Sequence, residues 1–172
     1  GLTITLKATG TTSVTVARDT SGLSAGVNAL VKAYNDFAKV SRDLGRYDAT
    51  TKQGGPLIGD STLRSAQNVF RNLLGTVPSD LSGATLQRLS DIGVTMQKDG
   101  TLKVDSAKLD AAISGNFSGV ANLVAAYGGA IDVAAKGMVE TDGLIESRTD
   151  GLNASIKSIT QQSESIQQRL IQ

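Results

Sequence analysis

GLIESRTDGLNASIKSITQQSESIQQRLIQ, residues 143–172, carries apolar side chains at Ile145, Leu152, Ile156, Ile159, Ile166 and Leu170. The steps alternate between four and three, with Thr149 and Ser163 filling the two polar positions of the stripe. A mean period of 3.5 residues keeps one seam of a helix turned toward a partner, so the segment reads as one strand of a coiled coil. Its other face is polar, with Lys157, Gln161, Gln162, Gln167 and Gln168. No Gly, Asn or Pro stop follows Leu170. That predicts a chain continuing beyond this point, with the partner helix in the part not seen.

A second heptad stripe lies upstream. Leu23, Val27, Leu30, Tyr34, Phe37 and Leu44 share one helical face, Ser41 is its polar position, Ser21 or Ser24 can cap the start, and Gly45 can end it. The two stripes are natural partners for each other and have room for a third helix. Both remain open to two readings, internal bundle core or subunit contact. The predicted interface residues are therefore Leu23, Val27, Leu30, Tyr34, Phe37, Ile145, Leu152, Ile156, Ile159, Ile166 and Leu170.

Between the stripes, residues 47–59 are polar and glycine-rich, which predicts a loop. Asp60 or Ser61 then caps a helix with Leu63, Ala66, Phe70, Leu73 and Leu74 on one face. Ile92, Val94 and Met96 alternate, as do Leu102 and Val104, with Asp99 and Gly100 between them. That pattern predicts a β-hairpin near residues 92–105 closed by a type I′ turn. Asp105 caps a short helix through Leu109 and Ile113. An Ala-rich helical stretch follows over residues 120–138, weakened by Gly128, Gly129 and Gly137. At the other end, Leu2, Ile4 and Leu6, then Val14 and Val16, alternate as two short strands. A lone hairpin is marginal in water, so these predict the edge of a larger sheet. The fold class is α+β, mainly α: long coiled-coil-like helices in a bundle, one β-hairpin, and a strand pair at the N-terminal end.

Composition narrows the function. The 172 residues contain no His and no Cys. The commonest general base, the thiolate nucleophile, disulfides and the commonest transition-metal ligands are thereby removed. No catalytic, cofactor-binding or metal-binding residue is predicted. Aromatics make up only 3%, and the core must come from Leu, Ile, Val and Ala, which suits helix packing more than a deep ligand pocket. Seventeen basic and sixteen acidic residues leave a net charge of +1, no footprint for nucleic acid or an anionic membrane. No apolar run approaches the ~20 residues that span a bilayer, and residues 1–7 lack the pattern of a cleavable signal.

Two segments invite a chemical reading. GGPLIGDSTLR, residues 54–64, places glycines before a helix, but Gly59 is followed by Asp60 and Ser61 where a phosphate-binding loop needs Lys. An anionic residue there would repel phosphate and suits an N-cap. Glu140, Asp142 and Glu146 surround Gly143, where negative charge at a helix start is favoured by the helix dipole, and Asp99, Asp105 and Asp110 lack calcium-loop spacing.

A set of landmarks, in order, resembles one known family. They are VTVARD at 14–19, AYNDF at 33–37, LGRYDATTKQGGPLIGDSTLRS at 44–65, LSDIGVTMQKDGTLKVDSAKL at 89–109 and GLIESRTDGL at 143–152. Together they are similar to the C-terminal part of the bacterial flagellar filament cap family, the hook-associated capping proteins. The resemblance implies a secreted, extracellular structural protein at the flagellum tip, a homo-oligomeric ring that caps the filament and helps flagellin fold and insert. Flagellin, an export chaperone and a host surface receptor are the partners it implies; no cofactor and no enzyme activity come with it. On this reading residues 1–19 end a β-rich head domain and residues 20–172 form a helical leg. The competing classes are an extracellular coiled-coil adhesin or other secretion-system component, and a hydrolase built on carboxylates or a serine.

Overall fold

The Asp19 carboxylate accepts from Ser21 N (2.9 Å) and Ser21 Oγ (2.6 Å), so the first helix is opened by Asp19. Neither Ser21 nor Ser24 caps it, as the sequence had suggested. In this computed structural model, residues 19–171 are described throughout, together with 5, 7, 9–11 and 13. The strands expected over residues 2–7 and 13–17 rest on Leu2, Ile4, Leu6, Val14 and Val16, which lie outside the described residues.

Helix α1 (Ser21–Gly45) leads into a two-stranded antiparallel pair, β1 (Tyr47–Asp48) and β2 (Gln53–Gly54), inside the segment expected to be loop. The Asp48 carboxylate accepts from Thr50 N (2.8 Å) and Thr51 N (3.2 Å), which turns the chain between those strands. Helix α2 (Ser61–Gly75) starts at Asp60, whose Oδ1 accepts from Leu63 N at 2.9 Å. Two short 3-10 turns, Ser79–Leu81 and Leu89–Ile92, then carry the chain to β3 (Val94–Met96) and β4 (Leu102–Val104).

The β3–β4 hairpin runs antiparallel with Met96 opposite Leu102. Its turn differs from the expected type I′. Gly100 N donates to Gln97 O (3.0 Å), Gln97 N donates to Thr101 O (2.7 Å), and Gly100 has φ +82°. A type I′ turn needs positive φ at both central residues, and Asp99 has none. The loop is therefore Lys98–Asp99–Gly100, a turn closed by a left-handed glycine in the manner of a G1 bulge. Ile92, expected in the strand, ends a 3-10 turn instead.

Helices α3 (Ser106–Gly115) and α4 (Phe117–Val139) each begin on a side-chain cap, Asp105 to Lys108 N and Asn116 to Gly119 N. Helix α5 (Leu144–Ile171) completes the chain. At 1.5 Å per residue it extends about 40 Å.

Helix α4 is the hub. It packs against α1, α2, α3 and α5, and its Val120 and Leu123 are wholly buried with Tyr127 nearly so. Around them sit Val27 from α1, Phe70 from α2, Ile92, Leu109 and Ile113. Burying each such side chain contributes roughly 1.5–3 kcal/mol. The Tyr127 hydroxyl lies 3.1 Å from Thr76 O and 3.3 Å from Gln87 O, which ties α4 to the chain on either side of the first 3-10 turn.

Two expectations are corrected here. The stripes of α1 and α5 are not seated on each other: α1 packs on α2, α3, α4 and β4, while α5 lies on α4 and α2. The helical stretch Phe117–Leu170 also contains a window that is long and apolar enough to cross a membrane by length and composition. Its apolar character comes from the Ala, Val and Gly of α4, and Val120, Leu123, Tyr127 and Met138 go into the core.

Candidate functional site

The sequence offers helix faces in place of reactive groups, and the structure sorts those faces into two kinds. On α1, Val27 and Tyr34 are buried, and Leu23, Leu30 and Phe37 are half-buried against the same core. On α5, Ile145, Leu152, Ile156, Ile159, Ile166 and Leu170 are all exposed, Ile156 by 62% and Leu170 by 80%. From Ser147 to Leu170 every residue is exposed, so the seam has no partner among the described residues.

The root of α5 is fixed firmly. Met138, at the end of α4, is buried, and Gly143 sits so close to the backbone that an added Cβ would lie 2.6 Å from Glu140 O and 2.8 Å from Met138 O. Only glycine fits that corner. Asp142 before it takes a left-handed φ of +64°. Arg148, on the second turn, reaches Asp60 Oδ2 at 3.3 Å. Asp60 thus caps α2 and holds α5 at once. Its carboxyl is held below the usual carboxylate range, first by the Leu63 amide and further by Arg148. Glu146 Oε2 is buried without a hydrogen-bond partner, in the first turn where the helix dipole favours negative charge.

A second surface adjoins the first. Leu30, Ala33, Tyr34 and Phe37 of α1, Phe70 of α2, and Gly128, Ile131 and Ala135 of α4 line an apolar groove of about 390 Å³. The Phe37 and Phe70 rings meet at 4.6 Å with a 59° tilt, forming its floor. Sequence periodicity found the α1 wall. It missed Gly128, Ile131 and Ala135, because alanine and glycine give a weak amphipathic signal.

Among the described residues there is no group of three or more Asp or Glu positioned to hold a metal ion. Asp60 and the Gly54–Gly59 segment form a cap and a turn, as the capping reading expected, with Leu57 N donating to Leu44 O. The arrangement offers surfaces suited to helices: a packed bundle, an apolar groove, and a long arm with an open seam.

Comparison with known proteins gives a consistent answer. Residues 1–172 match the family model described as the flagellar hook-associated protein 2 C-terminus. The A-type flagellar hook-associated protein 2 of Pseudomonas aeruginosa is 31% identical over 169 residues, covering 92% of this chain and 34% of that protein. The flagellar hook-associated protein 2 of Salmonella typhimurium (strain LT2) is 29% identical over 174 residues, covering 94% of this chain and 36% of that protein. Among solved structures, the crystal structure of the flagellar cap protein FliD D1-D2-D3 domains from Escherichia coli matches with a TM-score of 0.63 at 29% identity. That match covers 78% of this chain and 37% of the other. The chain spans about a third of the length of the curated relatives it matches.

Proposed function

We propose that this chain, which belongs to the flagellar hook-associated protein 2 C-terminal family, is the leg portion of a flagellar filament cap. Residues 20–172 form the leg, and residues 1–19 are the return from a β-rich head. The observation that carries this reading is the open seam of α5. A rooted helix about 40 Å long that exposes Ile145, Leu152, Ile156, Ile159, Ile166 and Leu170 is built to be covered by other helices in an assembly.

In the assembled cap, located outside the cell at the filament tip, copies of the protein form a ring. The α5 seam and the α1–α2–α4 groove take helices from the remainder of the same protein or from neighbouring subunits. The cap then helps incoming flagellin fold and insert, with the bundle hinging as each subunit enters. The working part is a surface, with no reacting group. The lack of disulfides and an aromatic-poor core support passage through a narrow export channel in an unfolded state.

The test is flagellin partitioning in cells lacking the gene. Filaments missing from the cells and monomeric flagellin shed into the medium, both reversed by the intact gene, are expected. Normal filaments would overturn the proposal and favour an extracellular adhesin.

A further inference from the structure

Helices α1 and α2 also line a second, polar groove, which shares Tyr34 and Phe37 with the apolar one. Arg42 on α1 faces Gln67 and Arg71 on α2 across a cleft of about 240 Å³, whose far end is closed by Asp99 and Gly100 of the β3–β4 turn. The cleft continues toward the root of α5, where Ser41, Arg46, Leu57, Asp60 and Arg64 line a further 270 Å³ or so. Arg42 donates to Asp99 O at 3.2 Å. The side chains of Arg64, Gln67 and Arg71 make no hydrogen bond or ion pair among the described residues. Ser41, 3% exposed, is the one buried polar residue among the described residues and lies on the groove wall. Donors spaced three and four residues apart along α2 thus line one trough. Its two carboxylates are engaged elsewhere, Asp60 with Arg148 and Asp99 with Thr101, and among the described residues none pairs with the Arg64 or Arg71 side chain.

The same chain carries an acidic projection that no cation pairs among the described residues. Glu140 and Asp142 stand exposed on either side of the α4–α5 corner, and Asp150 follows on the second turn of α5. The corner is rigid because Gly143 is wedged against Glu140 O and Met138 O.

We infer that the arginine groove between α1 and α2 is a self-association surface that receives the acidic α4–α5 corner of a second copy of this protein. Each copy carries both halves, so copies can join head to tail and close a ring. Planar guanidinium groups at Arg64 and Arg71 bind carboxylates in two-pronged fashion, and Leu57, exposed at the groove end, supplies an apolar rim. The inference deepens the proposed ring by naming which surfaces meet.

The test uses the complete protein that contains this chain, in sedimentation velocity. One variant reverses the groove, Arg64→Glu with Arg71→Glu; the other reverses the corner, Glu140→Lys with Asp150→Lys. All four positions are exposed, so circular dichroism melts should match the unmodified protein. Each variant alone should associate roughly tenfold more weakly or worse, and the unmodified protein should weaken as salt rises from about 50 to 500 mM. Mixing the two variants should restore association, because a reversed groove then meets a reversed corner while the native pair meets in the opposite sense. Association of either variant at unmodified strength, or failure of the mixture to recover, would overturn the inference and leave the ring standing. An unmodified protein that stays monomeric at all concentrations would overturn the ring reading itself.

Discussion

The Asn35 carboxamide hydrogen-bonds both backbone groups of Leu102: its Nδ2 donates to Leu102 O at 2.9 Å and its Oδ1 accepts from Leu102 N at 2.7 Å. The side chain thereby stands where a third strand would lie against β4, and the outer edge of the hairpin is satisfied by a helix. The contact spans 67 residues of sequence and fixes the hairpin on α1.

Asn35→Ala should therefore destabilise the fold by about 2–3 kcal/mol, since it removes two hydrogen bonds and leaves a part-buried amide pair unsatisfied. Asn35→Asp keeps the acceptor but loses the donor, and it sets a carboxylate against Leu102 O. It should be at least as damaging at neutral pH and partly recover on acidification, when a protonated carboxyl can donate again. Urea melts at pH 7 and pH 4 separate these outcomes. Equal stability of Asn35→Ala and the unmodified protein would mean that apolar packing alone holds the hairpin.

Asn35 also marks where sequence reading stops. The α1 stripe, the Asp60 and Asp105 caps, the hairpin near residues 92–105 and the start of α5 were legible, because each rests on local spacing and local hydrogen bonding. What Asn35 bonds was not legible, since a polar residue in a helix reads as solvent-facing until its distant partner is known. The pairing of helices was misjudged for a related reason. Two heptad stripes are complementary in pattern, but α4 gives a weak stripe rich in Ala and Gly and yet takes the centre, because small residues let neighbouring helices approach closely. The β1–β2 pair was missed because two-residue strands carry no periodicity, and the Asp99–Gly100 pair suits a bulged turn as well as the two-residue one.

Tyr127 is nearly fully buried, and burial pushes its phenol above its ordinary value of 10.0. A raised folded pKa means that the neutral form is the one the fold favours. Its stabilisation is complete below the ordinary value and is lost as pH climbs through the folded one. Tyr127→Phe should cost about 1 kcal/mol at neutral pH, from the lost bond to Thr76 O or Gln87 O. It should also lose less stability than the unmodified protein between about pH 9 and 11, where phenols ionise. Denaturant melts across that interval measure both.

The acid side has the opposite sign. Hydrogen bonds to local hydroxyl and amide groups hold Asp19, Asp48 and Asp99 below their ordinary value of 3.8, as the Leu63 amide does for Asp60. A lowered folded pKa stabilises the fold above the ordinary value, and the benefit disappears as pH falls below it through the folded values. Thermal melts should hold steady from neutrality down to about pH 5 and then fall. Asp60→Asn keeps a capping oxygen for Leu63 N but cannot titrate, so its melting temperature should drop less between pH 5 and pH 2. An identical acid profile in this variant would assign the loss to the other carboxylates.

Gly143→Ala places a methyl 2.6 Å from Glu140 O and 2.8 Å from Met138 O, both backbone atoms that cannot move without unwinding the end of α4. The cost should be about 1–3 kcal/mol, in the range of overpacked sites. The damage should concentrate at the corner, freeing Arg148 from Asp60 and leaving the core around Leu123 intact. Amide exchange would show faster opening across residues 138–148 with Leu109 and Leu123 still protected. Gly75→Ala, with open space around its Cβ position, is the matched control.

Ile156→Asp with Ile159→Asp separates folding from assembly. From sequence alone, charges on the stripe should either unfold the leg or abolish assembly, because a heptad seam can be core or contact. The structure decides between these, since both side chains are more than 60% exposed and bury almost nothing within the chain. The double variant should melt within about 0.5 kcal/mol of the unmodified protein, as surface substitutions do. In cells it should fail to restore filaments to a strain lacking the gene, because two carboxylates buried without partners would cost any helix pairing on the seam several kcal/mol. Flagellin shed into the medium alongside a normally folded variant would place the role of α5 between molecules or with a distant segment of the same protein. Wild-type filaments from the same variant would show that the seam stays open to solvent even in the working flagellum, and the cap would have to hold together through other surfaces.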